Sequence, residues 1–271
     1  MNAAHRQSAP GVATPSSGTP GASGHLPGAH PSVVACWSTK GGAGTTVVAA
    51  ALARRIAAEQ PGGALLVDTA GDSLAALGMP ESDGPGLAGW LRDHDHTGLP
   101  VVAACPGLSV VNRGAGPLAS ERADDLIDAL ATDTRPTVID CGTNPTGVAA
   151  ALAERADESI LVTRPCYLAL RRTLSDQSPR PTGVVLVREP SRVLSADDVA
   201  EAVRAPVLAE IDVDPAVART VDAGLLVART PASLDAGLSS LLATIGTPSR
   251  RAVSARAIPS PGHGQPEVSA W

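Results

Sequence analysis

A glycine-rich loop, Ser38-Thr39-Lys40-Gly41-Gly42-Ala43-Gly44-Thr45-Thr46, joins the apolar run Ser32–Trp37 directly to the Ala-rich stretch Thr45–Glu59. Few folds pass from strand to helix through consecutive glycines. Such a loop lets neighbouring backbone N–H groups turn inward around an anion, and the helix N-terminus adds its partial positive charge. A phosphate chain suits this place. Thr46, in the first turn of the helix, stands where a hydroxyl reaches Mg²⁺. The same residues also read as a strand-to-helix turn with no ligand.

The rest of the chain keeps to that pattern. Short aliphatic or β-branched runs at Ala64–Asp68, Leu108–Asn112, Thr137–Asp140, Ser159–Thr163, Gly183–Val187 and Val207–Ile211 alternate with helical stretches. These stretches are Ser120–Ala131, Thr146–Ala156, Tyr167–Ser175, Ser195–Val203, Pro215–Ala223 and Ala232–Ile245. Alternation of this kind predicts βαβ units closing on a mostly parallel sheet with helices on both faces. Ser195 followed by Asp198 reads as an N-cap. With no Phe, one Tyr and three Trp in 271 residues, the core must be aliphatic, as a parallel sheet under Ala/Leu helices allows.

Residues 1–31 and 247–271 are rich in Ala, Pro, Gly and Ser without apolar periodicity, and are expected to be disordered arms around a domain at 32–246. No apolar run approaches a membrane span, the first residues lack a signal peptide's hydrophobic core, and the prolines after Pro248 oppose a membrane-lying helix. The expectation is a cytoplasmic protein. A net charge of −6 argues against a domain whose main work is coating nucleic acid. Cys36, Cys105, Cys141 and Cys166 form no CxxC pair and are expected to be buried reduced thiols.

The loop resembles the deviant Walker A motif of the ParA/MinD family of P-loop ATPases, Lys-Gly-Gly-x-Gly-Lys-Thr-Thr. The likeness continues through Leu65–Asp72, through Val138-Ile139-Asp140-Cys141-Gly142 as a Walker B strand, and through Leu161–Pro165, Gly183–Val187 and Pro206–Gly224. It implies a three-layer P-loop NTPase fold. It also implies ATP and Mg²⁺ as ligands, with Lys40 through Thr46 (Gly41, Gly42, Ala43, Gly44 and Thr45 between them) holding nucleotide. Thr46 and Asp140 would hold the metal, Lys40 would act in trans across a nucleotide-sandwich homodimer, and Asp68 would be the first acidic residue of the catalytic pair.

Three positions depart from the pattern. Thr45 replaces the second lysine, which removes a charge-assisted contact from beside the β- and γ-phosphates. Ala70 replaces the second acidic residue, which orients the attacking water, with Asp72 two residues further on. Val187 stands where an adenine-reading Asn is usual. The overall pattern also resembles actinobacterial TadZ/CpaE-like and septum-site-determining relatives, which implies work in positioning pilus or secretion machinery, the septum or the chromosome. Protein partners and recruitment to the pole, septum or inner membrane would follow. Other readings are an active ATPase switch relying on Lys40, an ATP-dependent ligase of the dethiobiotin or cobyrinate kind, and a nucleotide-free adaptor.

Three further groups lie outside the motifs. Asp93, His94, Asp95 and His96 read as a hydrophilic loop rather than a metal clip. Arg164, Arg171 and Arg172 read as a DNA-facing patch, a solvated helix face or a partner interface. Cys141 reads as a small core residue rather than a nucleophile.

Overall fold

A computed structural model describes residues 33–93, 98–175 and 178–245. The expected arms, and His94, Asp95 and His96, lie outside the described residues.

Strand β1 (Val33–Ser38) leads through the glycine loop into α1 (Thr45–Glu59), then β2 (Ala64–Asp68), α2 (Ser73–Leu77) and α3 (Gly86–Arg92). An antiparallel hairpin, β3 (Val101–Cys105) and β4 (Leu108–Val111), is followed by a 3₁₀ turn at Ser120–Arg122, α4 (Ala123–Thr132) and β5 (Thr137–Thr143). The remainder is α5 (Val148–Arg155), β6 (Glu158–Thr163), α6 (Tyr167–Thr173), β7 (Gly183–Arg188), α7 (Ala196–Val203), β8 (Val207–Asp212), α8 (Pro215–Asp222) and α9 (Ala232–Ile245). The strands form one eight-stranded sheet in the order β3-β4-β2-β5-β1-β6-β7-β8, parallel except at β3.

The period-two alternation of each strand divides the core into two layers. Val34 and Cys36 of β1, Leu66 of β2 and Val138 of β5 pack against α1 and α9. Ala35, Trp37, Leu65, Val67 and Ile139 pack on the opposite face against α3, α4, α5 and α7. Alanines in α1, from Ala49 to Ala53, are fully buried and let that helix lie close against the sheet. Trp37 is fully buried and donates its indole N–H to Ser159 Oγ at 3.0 Å, which satisfies the one polar atom of an otherwise apolar side chain.

Several expected elements change at their edges. The stretch expected as a helix from Thr146 begins at Val148, because Gly147 takes φ 55°, ψ −125° and cannot continue a right-handed turn. The stretch expected from Ser120 opens as a 3₁₀ turn before α4. Three elements were not expected at all: the edge strand β3 and the short helices α2 and α3. Ser195 caps α7 as read from the sequence, in a reciprocal capping box with Asp198. The thiols divide, since Cys36 and Cys141 are buried but Cys105 and Cys166 are half-exposed. Their positions on an edge strand and at a helix cap correct the expectation of four buried thiols.

Candidate functional site

Because β1, β2 and β5 run parallel and adjacent, their C-terminal ends open together. The cross-strand register pairs Cys36 with Asp140 and Asp68 with Asp140, so the two carboxylates and the thiol form one row on the α1 face. Above this row the glycine loop turns into α1, with Gly42 at φ 77° and Gly44 at φ 92°, conformations that only glycine adopts without strain. Nothing lies within 4 Å of where a Cβ would stand on Gly41, Gly42 or Gly44, so the loop rims open space. The cleft beside it has a volume of about 790 Å³ and is bordered by residues 41–47, by Ala70 and Asp72 after β2, by Arg113 after β4, and by residues 141–149 after β5.

Thr45, at the start of α1, is 6% exposed, and its hydroxyl is buried with no hydrogen-bond partner. A buried hydroxyl left unsatisfied costs on the order of 1–3 kcal/mol, so such a group is usually held for a ligand or a water. A phosphate oxygen would supply the missing acceptor. The hydroxyl of the neighbouring Thr46 is hydrogen-bonded to the Asp140 carboxylate, which also accepts from the Gly142 amide at 3.0 Å and from Ser73 Oγ at 3.4 Å. Burial pushes the Asp140 carboxyl up to about 6, aided by the nearby Asp68 charge and opposed by the Thr46 hydroxyl. Thr46 and Asp140 thus present a hydroxyl and a carboxylate side by side, the hard oxygen donors that Mg²⁺ takes together with phosphates. The residues fit both a phosphate chain and its metal. Among the described residues no group of three or more His, Cys, Asp and Glu could hold a metal by itself.

Asp68 is occupied differently. Its Oδ1 accepts the amides of Ala70 at 2.9 Å and Gly71 at 2.6 Å, and its Oδ2 accepts that of Ser73 at 2.9 Å. The side chain shapes the turn after β2 and starts α2. Burial raises its pKa against these three amides. Ala70 borders the cleft with only a methyl group, and Asp72 borders it from the N-cap of α2. Val187 packs into the aliphatic layer beside Ile211 and offers no polar atom from its side chain.

Lys40 is exposed on the outer side of the loop, with Nζ 3.7 Å from Cys166 Sγ. The amides of Ala169 and Leu168, together with the Lys40 ammonium, hold the Cys166 thiol below the ordinary cysteine range despite some burial. Lys40 is also the single lysine among 21 Lys and Arg residues, so any other fixed positive charge near the cleft must come from arginine. Of the arginines weighed as a patch, Arg164 is ion-paired with Glu189, and Arg172 donates to the Thr39 carbonyl at 3.4 Å. Sequence reading did not reach Arg113, which the hairpin's place in the sheet carries to the cleft.

The strand order and the glycine loop define a three-layer α/β phosphate-loop fold. No family model and no curated relative matches the sequence. Solved structures do match the fold. A ParA family ATPase from Chlorobium tepidum TLS superposes with a TM-score of 0.65 at 21% identity, covering 79% of this chain and 99% of that one. The septum site-determining protein MinD from Pyrococcus horikoshii OT3, complexed with Mg-ADP, gives 0.66 at 20% identity, covering 79% and 95%. The MinC:MinD cell division protein complex of Aquifex aeolicus gives 0.66 at 17% identity, covering 79% and 94%. Among the described residues no helix is long and apolar enough to cross a membrane.

Proposed function

We propose that this chain binds a nucleoside triphosphate with Mg²⁺ in the cleft, turns it over little or not at all, and acts in spatial positioning through dimerisation and partner contact. The observation that carries this reading is the buried, unpartnered hydroxyl of Thr45 on an open glycine loop. Beside it, the Thr46 hydroxyl is hydrogen-bonded to the Asp140 carboxylate, two oxygen donors of the kind Mg²⁺ takes. The MinD structure complexed with Mg-ADP supports the choice of ligand, and the MinC:MinD complex supports a protein partner. Two losses weaken hydrolysis: Thr45 removes an ammonium from the phosphates, and Ala70 leaves no carboxylate at its position to orient a water. The machinery positioned would be that of a pilus or secretion system, the septum or the chromosome, reached through a partner.

A second reading, an active ATPase switch, draws on the intact Thr46–Asp140 pair and on Lys40. Phosphate release from ATP and Mg²⁺, measured beside calorimetric titration of both nucleotides, separates the two. The expected result is saturable binding with turnover no higher than the no-protein control. Turnover that disappears in Lys40→Ala makes the chain an active switch, and absence of heat with ATP and ADP makes it a nucleotide-free adaptor.

A further inference from the structure

Arg113 ends the turn that leaves β4, and the surrounding structure fixes it there. Leu87 and Ala88 of α3 donate their amides to the carbonyls of Asn112 and Arg113 at 2.8 Å each, which clamps the backbone on both sides of the Cα. The side chain runs back over the turn after β2, where its Cδ lies 3.4 Å from the position a Cβ would take on Gly71. Among the described residues its guanidinium is held by neutral acceptors alone. Nε donates to the Thr69 carbonyl at 3.1 Å, and Nη1 donates to the carbonyls of Gly116 at 2.9 Å and Gly114 at 3.4 Å.

These bonds consume three of the five N–H donors of an arginine. Among the described residues Nη2 keeps two donors without a protein acceptor and no carboxylate pairs with Arg113, whereas Arg55, Arg122, Arg135, Arg155, Arg164, Arg188 and Arg192 are all ion-paired. Arg113 borders the same cleft as the glycine loop, from β4, which β2 and β5 separate from β1, and it lies against the Thr69–Gly71 turn. The loop side carries no cation at position 45, and this side carries no carboxylate at position 70. A carboxylate at position 70 would have been a natural counter-ion for the guanidinium. Its absence leaves the positive charge available to a ligand.

We infer that Arg113 is the fixed cation of this phosphate site and grips the terminal phosphate of a nucleoside triphosphate from the β4 side of the cleft. The inference rests on the nucleotide reading above and adds to it the residue that replaces the missing lysine. An arginine held by carbonyls is preorganised, and the two N–H groups of its Nη2 are left to donate to a phosphate's oxygens. The loop and α1 cradle the phosphate nearest the helix. The β4 side meets the end of the chain farthest from it, so Arg113 distinguishes a triphosphate from a diphosphate.

The test is calorimetric titration of the full chain with MgATP and with MgADP, for wild type, Arg113→Gln, Arg113→Lys and the double variant Arg113→Gln/Thr45→Lys. Circular dichroism melts of each report folding. The expected result is a tenfold or greater loss of MgATP affinity in Arg113→Gln with less than threefold change for MgADP. Arg113→Lys should recover only part of that loss, and the double variant should regain MgATP affinity, a gain that a misfolded chain cannot show. Wild-type binding of both nucleotides with no change in Arg113→Gln overturns the role of Arg113 and leaves the nucleotide reading standing. An equal loss for MgATP and MgADP without rescue also overturns it. A wild type that binds neither nucleotide overturns the nucleotide reading and this inference with it.

Discussion

Asp140→Asn in the metal-free, nucleotide-free protein separates what the site costs from what it is for. Asp140 is fully buried, and its carboxyl is pushed from an ordinary 3.8 up to about 6. At roughly 1.4 kcal/mol per pKa unit, ionising it inside the fold costs on the order of 3 kcal/mol. The sign follows from linkage: the native state holds this proton more tightly than the unfolded chain. The cost is therefore fully present above pH 6 and is relieved as pH falls from about 6 toward 4. Asn preserves the shape and removes the charge. Its Oδ1 can still accept from the Gly142 amide, and its NH₂ can donate to the hydroxyls of Thr46 and Ser73, which can turn to accept. Urea unfolding in EDTA, followed by circular dichroism at several pH values, should show Asn more stable than Asp by up to about 3 kcal/mol at pH 8. The difference should narrow as pH falls below 6 and close only below about pH 4. A wild type more stable than the variant at pH 8, or a difference that does not vary with pH, would refute the burial argument.

Three other outcomes follow from the same geometry. Asp68→Asn, though it too removes a buried charge, should destabilise by about 1–3 kcal/mol in the same urea assay, because an amide cannot accept at both ends from the amides of Ala70, Gly71 and Ser73. Cys166 should be the fastest of the four cysteines to react with iodoacetamide at pH 7.5, as followed by mass spectrometry of peptides, and Lys40→Met should slow it; equal rates at the buried Cys36 would contradict the geometry. Thr45→Lys alone should tighten MgADP about tenfold or more in calorimetry, since a charge-assisted hydrogen bond contributes roughly 1.5–3 kcal/mol; an unchanged affinity would show that the loop lacks room for the ammonium.

Much of this fold was legible because a fully buried parallel sheet writes itself as aliphatic runs. Helices α1 and α9 start and stop where the sequence placed them, since their apolar residues recur at helical spacing against the sheet. The missed elements lack an intrinsic signal. Strand β3 lies at the sheet edge with Val101 and Ala103 exposed, and it exists because the turn at Pro106-Gly107 folds it back on β4. Helix α2 is five residues long and is started from outside by the carboxylate of Asp68. Helix α3 contains Gly86 and Gly89, poor helix formers, and is held by the burial of Leu87, Trp90 and Leu91.

The candidate site divides in the same way. Residues 40–46 and Asp140 could be read as candidates because the loop is contiguous in the chain and Asp140 closes an apolar run, although β5 continues past it to Thr143. Asp68 was read as a candidate, but its engagement with three backbone amides could not be read, because that depends on the path of a turn. Arg113 was invisible because it is far from the loop in sequence and is brought to the cleft by β4 lying beside β2. The one trace it leaves is an arginine two residues after a strand and before two closely spaced glycines, a turn whose carbonyls can hold a guanidinium.

Amide hydrogen exchange of the full chain, with and without saturating MgATP, reads out whether the glycine loop takes up phosphate. If the glycine loop is the phosphate cradle, the peptide covering residues 40–47 should slow markedly with MgATP, and the segment around Arg113 should slow with MgATP more than with MgADP. A loop whose exchange is the same with and without nucleotide would contradict the account.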